Sequence, residues 1–387
     1  MIFAEWAALF AATASGAHFA SLCIAGWRCG RRGRRPAADC RQPGVSIVVP
    51  VCGLDNFATE TLASSLRLDY PEYEVIFCAA RADDRAVPLV RRLIEACPGV
   101  SARLLIGDDP ISINPKLNNC VKGWNAARHQ WIVLADSNLL LPPDYIDRLL
   151  ARWQQDTGAV CSMPLGTRPH NFWAELECAF LNTFQARCQY VGETLGFGFA
   201  QGKTLLYRRD IVDRAGGIRA LAAEPAEDAA TTKLVRRAGH RVQLVDAPFE
   251  QPLGRRRAVE VWSRQLRWAR LRRATFPLLF APEAVVGSCL PAVAAAVAAA
   301  HLGIEPAAAG VGLIALWTLA ELMLARRVGW HCSPGLAAAI VVRDLLLPAL
   351  WIAAICGDEF TWRGTSMSAA DRMQTPSSAE PATLRAN

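Results

Sequence analysis

Three separated acidic signals carry the residue types that could hold a cation or accept a proton: Asp83-Asp84, Asp136-Ser137-Asn138 and Glu227-Asp228. Asp136 follows an apolar run, and Asn138 offers a second oxygen two residues on. Such a pair can hold a hard divalent cation against a diphosphate. Asp83-Asp84 would bind ribose hydroxyls or share that cation; a solvated turn is the plainer reading. Glu227-Asp228 precedes a helical stretch, where an acid either serves the helix N-terminus or takes a proton. Asn114-Pro115-Lys116-Leu117-Asn118-Asn119 adds a lysine and three amides ahead of a helix. The segment from Gly196 to Thr204 ends in Gly-Lys-Thr, yet the first glycine of a Walker loop would fall on Phe197, so that spacing fails. It reads as a glycine-rich loop that lets backbone approach a ligand. Arg264 and Arg267, three apart, share one helix face beside Trp268. Arginines there would neutralise a leaving diphosphate or rest on lipid headgroups.

The elements that must position these residues alternate. Strands are expected at 45–50, 74–79, 102–106 and 131–135, with helices at about 57–67, 85–96 and 116–127. This alternation predicts an α/β domain with a mainly parallel sheet and helices on both faces. Ligands in such sheets bind beyond the carboxyl ends of the strands, where Asp84 and Asp136 both fall.

The chain ends are apolar. Hydrophobic residues make up 52% of the sequence, and the excess lies at the two ends. Residues 1–27 read as a transmembrane anchor and 28–44 as a basic linker carrying Arg28, Arg31, Arg32, Arg34 and Arg35, which would face the cytoplasm. Residues 45–275 form the catalytic domain, ending in a basic interfacial segment where Arg270, Arg272 and Arg273 would meet headgroups. Residues 276–365 form a membrane region with candidate segments at 284–302, 307–325 and 334–356. The last carries Arg343-Asp344 and Pro348 and is expected to be re-entrant or interfacial. Residues 366–387 are Ser-, Ala- and Pro-rich and are expected to be disordered. The net charge of +7 is clustered beside apolar segments, which favours anionic lipid as partner; without a nucleic-acid-binding motif, no nucleic acid is expected. Thirteen cysteines without a C-x-x-C pair read as scattered free thiols.

Taken in order, Val45 to Pro50, Asn114 to Asn119, Asp136-Ser137-Asn138, Ala215-Gly216-Gly217, Ala226-Glu227-Asp228 and Arg264-Gln265-Leu266-Arg267-Trp268 resemble the ceramide glucosyltransferase family. These are membrane-bound inverting glycosyltransferases with a GT-A type domain. Their pattern is three spaced aspartates followed by (Q/R)-x-x-R-W, and the match covers about residues 45–275. The resemblance implies that Asp84, by its spacing to Asp136, contacts the nucleotide. Asp136, with the neutral Asn138, would hold a divalent cation, Mg or Mn. Asp228 would be the catalytic base, and Lys116, Arg264, Arg267 and Trp268 would bind the nucleotide sugar. The implied reaction moves glucose from UDP-glucose to the hydroxyl of a lipid, ceramide first, giving a β-glycosyl lipid. Apart from the resemblance, the membrane-proximal Trp262 and Trp268 are expected to help admit the acceptor from the bilayer. Diacylglycerol, with possible processivity, and hopanoids are the alternative acceptors. A polysaccharide synthase and a non-catalytic membrane adaptor are the competing readings. The arginine- and alanine-rich composition points to a bacterial inner membrane, and the basic residues after the first apolar segment to a cytoplasmic catalytic domain.

Overall fold

The computed structural model describes residues 2–30, 42–362 and 365–369. The four apolar runs form β1 (Val45–Val51), β2 (Tyr73–Ala79), β3 (Ser101–Ile106) and β4 (Trp131–Ala135). They pair in parallel in the order β3-β2-β1-β4. Every residue of β1 except Pro50 is buried, because a parallel sheet carries helices on both faces. The crossovers contain helices Ala58–Ser64, Val87–Glu95 and Pro115–Ala126. The expected mainly parallel α/β sheet is therefore present.

Past β4 the sheet changes direction. It continues with β5 (Thr157–Ser162), β7 (Thr204–Arg208) and β8 (Arg241–Leu244), while β6 (Pro164–Pro169) and β9 (Phe249–Gly254) form a separate parallel pair. β7 runs antiparallel to both β4 and β5. This sets Thr204 opposite Ala135, and the Asp136 N–H donates to the Lys203 carbonyl at 2.9 Å. The glycine-rich loop is thereby fixed at the carboxyl rim of the parallel strands.

Three helices, Ile2–Gly30, Pro306–Val328 and Pro334–Ile355, are long and apolar enough to cross a bilayer; Pro277–Val285 and Cys289–His301, bent by 46°, form a fourth span if counted together. The expected boundary at residue 27 lies inside the first helix. Arg28 is buried rather than at a headgroup: it pairs with Glu193 at 2.5 Å and Asp246 at 2.7 Å, clamping the helix to the α/β domain. Arg31 to Arg35 lie outside the described residues.

The last apolar segment is one continuous helix through Pro348. Its start, middle and end all meet the α/β domain, through Ser333 on Glu175, Arg343 on Thr183, and the Ala353 and Ile355 carbonyls on Arg270 and Arg273. Its charges are tolerated because they are paired inside the bundle. Arg343 donates to Glu321 at 2.9 and 3.0 Å, to Asp344 at 2.7 and 2.9 Å and to Thr183 at 2.8 Å. It also reaches the Ala179 carbonyl at 3.1 Å. Ala179 opens a π-helical stretch, Ala179–Ala186, inside the run from Phe172 to Thr194. A π register breaks the regular carbonyl ladder and leaves acceptors for such outside donors.

A hairpin, β10 (Glu359–Trp362) with β11 (Thr365–Ser368), occupies the start of the segment expected to be disordered. Residues 370–387 lie outside the described residues. Phe360 and Met367 pack with Ile113, Leu271 and Ala274, so the hairpin abuts the loop that carries Asn114.

Candidate active site

Asp84 stands past the tip of β2, and its carboxylate reaches across to β1. It accepts the Gly53 N–H at 3.0 Å and the Ala86 N–H at 2.8 Å. Asp83 instead points to solvent, paired with Arg81 at 2.6 Å. The two carboxylates therefore do not act together, and only Asp84 is held on the rim.

Asn114 begins the next contribution. Its side chain caps helix Pro115–Ala126 by accepting from the Lys116 and Leu117 N–H groups, and Pro115 takes the first helical position. The cap aims Lys116 back at the rim. Its ammonium lies 2.7 Å from Asp136 Oδ1 and 2.6 Å from Glu227 Oε1, and it donates to the Gly202 carbonyl. Asn114 Nδ2 also donates to Glu227 Oε2 at 2.7 Å. Asn119 donates to the Val51 and Cys78 carbonyls at 3.2 and 2.6 Å, tying the helix to the ends of β1 and β2. The amides are thus structural, and the segment is not a surface loop.

Asp136 faces two ammonium groups, because Lys203 Nζ lies 2.9 Å from its Oδ2. Burial alone would raise its pKa, but Lys116 and Lys203 hold the carboxyl well below the usual carboxylate range. Burial would likewise lower the Lys116 pKa, and Asp136 and Glu227 reverse that and raise it. Asn138 Oδ1 accepts from the same Lys203 ammonium at 3.0 Å, and its Nδ2 donates to Asp55 at 3.2 Å. Among the described residues, no three His, Cys, Asp or Glu side chains converge to hold a metal.

Asp228 opens helix Glu227–Arg237. Its carboxylate accepts the Gly202 N–H at 2.9 Å and the Ala229 N–H at 2.8 Å. Gly202 is needed here: a Cβ would meet Glu227 Oε1 at 2.6 Å, with Asp228 Oδ2 and Lys116 Nζ at 3.3 Å. Glu227 is buried while Asp228 keeps a partly open face. Burial first, and then the Glu227 charge, push the Asp228 carboxyl up to about 6, against Lys116 and the two backbone donors. A base must be unprotonated, so kcat/KM should rise with pH through about 6 and then level. Glu227→Gln removes a raising charge and should move that limb to lower pH. A pH–rate profile checks this, and an unmoved limb would contradict the coupling.

The Arg264–Trp268 segment lies on helix Ala258–Thr275. Arg264 contacts the fully buried Glu177, which also pairs with Arg256 at 3.2 Å. Its guanidinium is thus engaged by a buried carboxylate. The Arg267 guanidinium stands 5.3 Å from the Trp362 ring of β10. Trp262 and Trp268 pack half-buried against the main core. The expected headgroup arginines have internal partners as well. Arg270 donates to the Ala353 and Glu359 carbonyls, Arg273 to the Ile355 carbonyl and Asp358, and Arg272 bridges Glu283 at 2.5 and 2.8 Å. Ala353 and Ile355 end the last apolar helix, where unsatisfied carbonyls attract cations.

The structure thus brings Lys116, Asp136, Asn138 and Asp228 together on the strand rim, with Asp84 at the β1–β2 tips. Arg264, Arg267 and Trp268 lie on the helix behind it, bordering the Asn114 loop through Leu271 and Ile113. Two members of the cluster, Lys203 and Glu227, lay inside flagged sequence signals but were given no role of their own from the sequence. The Gly-Lys-Thr ending was the available signal for Lys203, and the Glu-Asp pair was the signal for Glu227.

The sequence profile of glycosyl transferase family 21 matches residues 8–374. Ceramide glucosyltransferase 1 of Caenorhabditis elegans is 26% identical over 328 residues, covering 83% of this chain and 70% of that protein. Ceramide glucosyltransferase 3 of the same organism is 28% identical over 255 residues, covering 65% of this chain and 55% of its own length. Among solved structures, the mannosyltransferase PcManGT from Pyrobaculum calidifontis, in complex with GDP-Man and Mn2+, aligns over 90% of this chain and 98% of that chain, with a TM-score of 0.46 and 18% identity.

Proposed function

Because the chain belongs to glycosyl transferase family 21, we propose that it transfers glucose from UDP-glucose to the hydroxyl of a membrane lipid, ceramide in the first place, with inversion at the anomeric carbon. The observation that carries this reading is Asp228. It is a carboxylate with a pKa pushed up to about 6, partly open, and held by two backbone donors beside a lysine-lined rim.

Asp228 takes the proton of the acceptor hydroxyl as that oxygen attacks the anomeric carbon. The bond to the UDP oxygen breaks on the opposite side, and the α linkage of the donor becomes β. The negative charge on the departing diphosphate falls beside Lys116 and Lys203, fixed donors that need no rearrangement. Asp84 receives the nucleotide end of the donor. Glu177 and the Trp362 ring orient Arg264 and Arg267 on the helix behind the rim.

Two oxygens that would hold a divalent cation are present. The Asp136 carboxylate and the Asn138 amide oxygen converge on one point, now taken by the Lys203 ammonium. Mg or Mn is commonly held by one or two carboxylates with substrate phosphates completing its shell. When bound there, it supplies further neutralisation of the diphosphate.

Three helices long and apolar enough to cross a bilayer support chemistry at a membrane. Arg326 and Arg327 are exposed at the end of helix Pro306–Val328. The following turn contacts the α/β domain through His331 and Ser333, which meet Glu175 at 2.8 and 2.9 Å. Basic residues on the domain side support a cytoplasmic catalytic domain.

The test is expression in a host without glycolipids. Ceramide and diacylglycerol are supplied in parallel with each labelled UDP-sugar, and the lipids are read by mass spectrometry. A hexosylceramide formed from UDP-glucose is expected. A water-soluble polymer, or no new lipid in any arm, would overturn the reading.

A further inference from the structure

The Gly-Lys-Thr ending of the glycine-rich loop is not a Walker loop, yet its lysine is built into the rim. The Lys203 carbonyl accepts from the Asp136 N–H at 2.9 Å, and Thr204 pairs with Ala135 across β4 and β7. The side chain is largely covered, at 14% exposure. Its ammonium sits in the bite of the D-x-N element, 2.9 Å from Asp136 Oδ2 and 3.0 Å from Asn138 Oδ1. Asn138 cannot turn its amide without loss, because Nδ2 donates to Asp55. Its oxygen is therefore committed to the lysine.

The charges explain why a lysine is tolerated at this point. Asn138 is neutral, so the element contributes the single negative charge of Asp136, which two ammonium groups already face. A bare divalent cation arriving there meets like charges at contact distance. A diphosphate arriving there meets Lys203, paired with Asp136, and Lys116, shared between Asp136 and Glu227, and lysine is a phosphate ligand that acts as a point charge.

We propose that Lys203 is the built-in counter-cation of the donor diphosphate. It occupies the position between Asp136 and Asn138 where a divalent cation would bind, so the nucleotide diphosphate binds without metal, and metal must displace the lysine. This rests on the donor reading above and deepens it. It makes Lys203 a substrate-binding residue and makes metal demand a property of one side chain.

The test uses the full chain in detergent. Titration of UDP by calorimetry in EDTA should give wild-type affinity within about threefold of that in Mn2+. Lys203→Met should weaken UDP binding in EDTA by at least about tenfold, and Mn2+ should restore it. Lys203→Arg, which keeps the charge, should lose less. Mn2+ alone, followed by electron paramagnetic resonance, should bind Lys203→Met at least about tenfold more tightly than wild type, because two oxygens are freed. Wild-type UDP binding that is present in Mn2+ but lost in EDTA overturns the proposal even if no variant folds. So does equal Mn2+ affinity in wild type and Lys203→Met. If UDP binds under no condition, the donor reading fails, and the Mn2+ comparison alone decides the role of Lys203.

Discussion

Asp228→Asn is expected to lower kcat by about 10² to 10⁴-fold, the range that positioned proton transfer contributes. The carboxylate accepts backbone hydrogens from Gly202 and Ala229 on its two oxygens. The amide keeps one acceptor and turns a donor toward the other N–H, so some local adjustment follows. That adjustment lies in the α/β domain, away from the apolar helices, and membrane insertion should be intact. Glycolipid formation by membranes carrying equal amounts of inserted protein measures the effect. Activity within a few-fold of wild type would remove Asp228 as the base and would revive the reading of a fold kept without catalysis.

Arg343→Met is expected to destabilise the protein by about 3–5 kcal/mol, the penalty for stripping one partner from a buried ion pair. Arg343 is 1% exposed and Glu321 is fully buried. The guanidinium serves Glu321, Asp344, Thr183 and the Ala179 carbonyl. Asp344 has one further partner, the Ser288 N–H at 2.9 Å. Glu321 also has Arg187 at 3.9 Å, too far to replace what is lost. Thermal unfolding in detergent should show a large drop, and adding Glu321→Gln should recover part of it. An unshifted transition would mean that the cluster contributes little. The same guanidinium joins the π-helical stretch of the α/β domain to the last apolar helix, so the loss should also loosen the domain from its anchor.

How much of this was readable in the sequence follows from the range of each interaction. The four parallel strands and their helices were legible because apolar runs and their breaks are local signals. The boundary at Ala135–Asp136 fell where the burial pattern stops. The antiparallel β7 was not legible: Thr204 to Arg208 carries no mark of direction, and its pairing with β4 is a contact between residues about 70 apart. That one pairing delivers Lys203 and Gly202 to the rim, so the central cation of the site was hidden with it. Asp84, Lys116, Asp136 and Asp228 were found as separate signals with motif spacing, and the fold brings them to one edge. The basic stripe misled because charge alone does not name its partner. Arg28, Arg270, Arg272 and Arg273 looked like headgroup ligands, and each meets a carboxylate or a helix-end carbonyl of this chain. The partner of Arg343-Asp344 was not legible either, because the neutralising Glu321 lies on a different helix.

The central claim is a single direct displacement in which a lipid hydroxyl, deprotonated by Asp228, attacks UDP-glucose. The anomeric configuration of the purified product tests it most directly. Ceramide and UDP-glucose incubated with the full chain in vesicles should give a glucolipid whose proton resonance spectrum shows only the β anomer. An α-linked product would require retention, and would contradict both the one-step mechanism and the role assigned to Asp228.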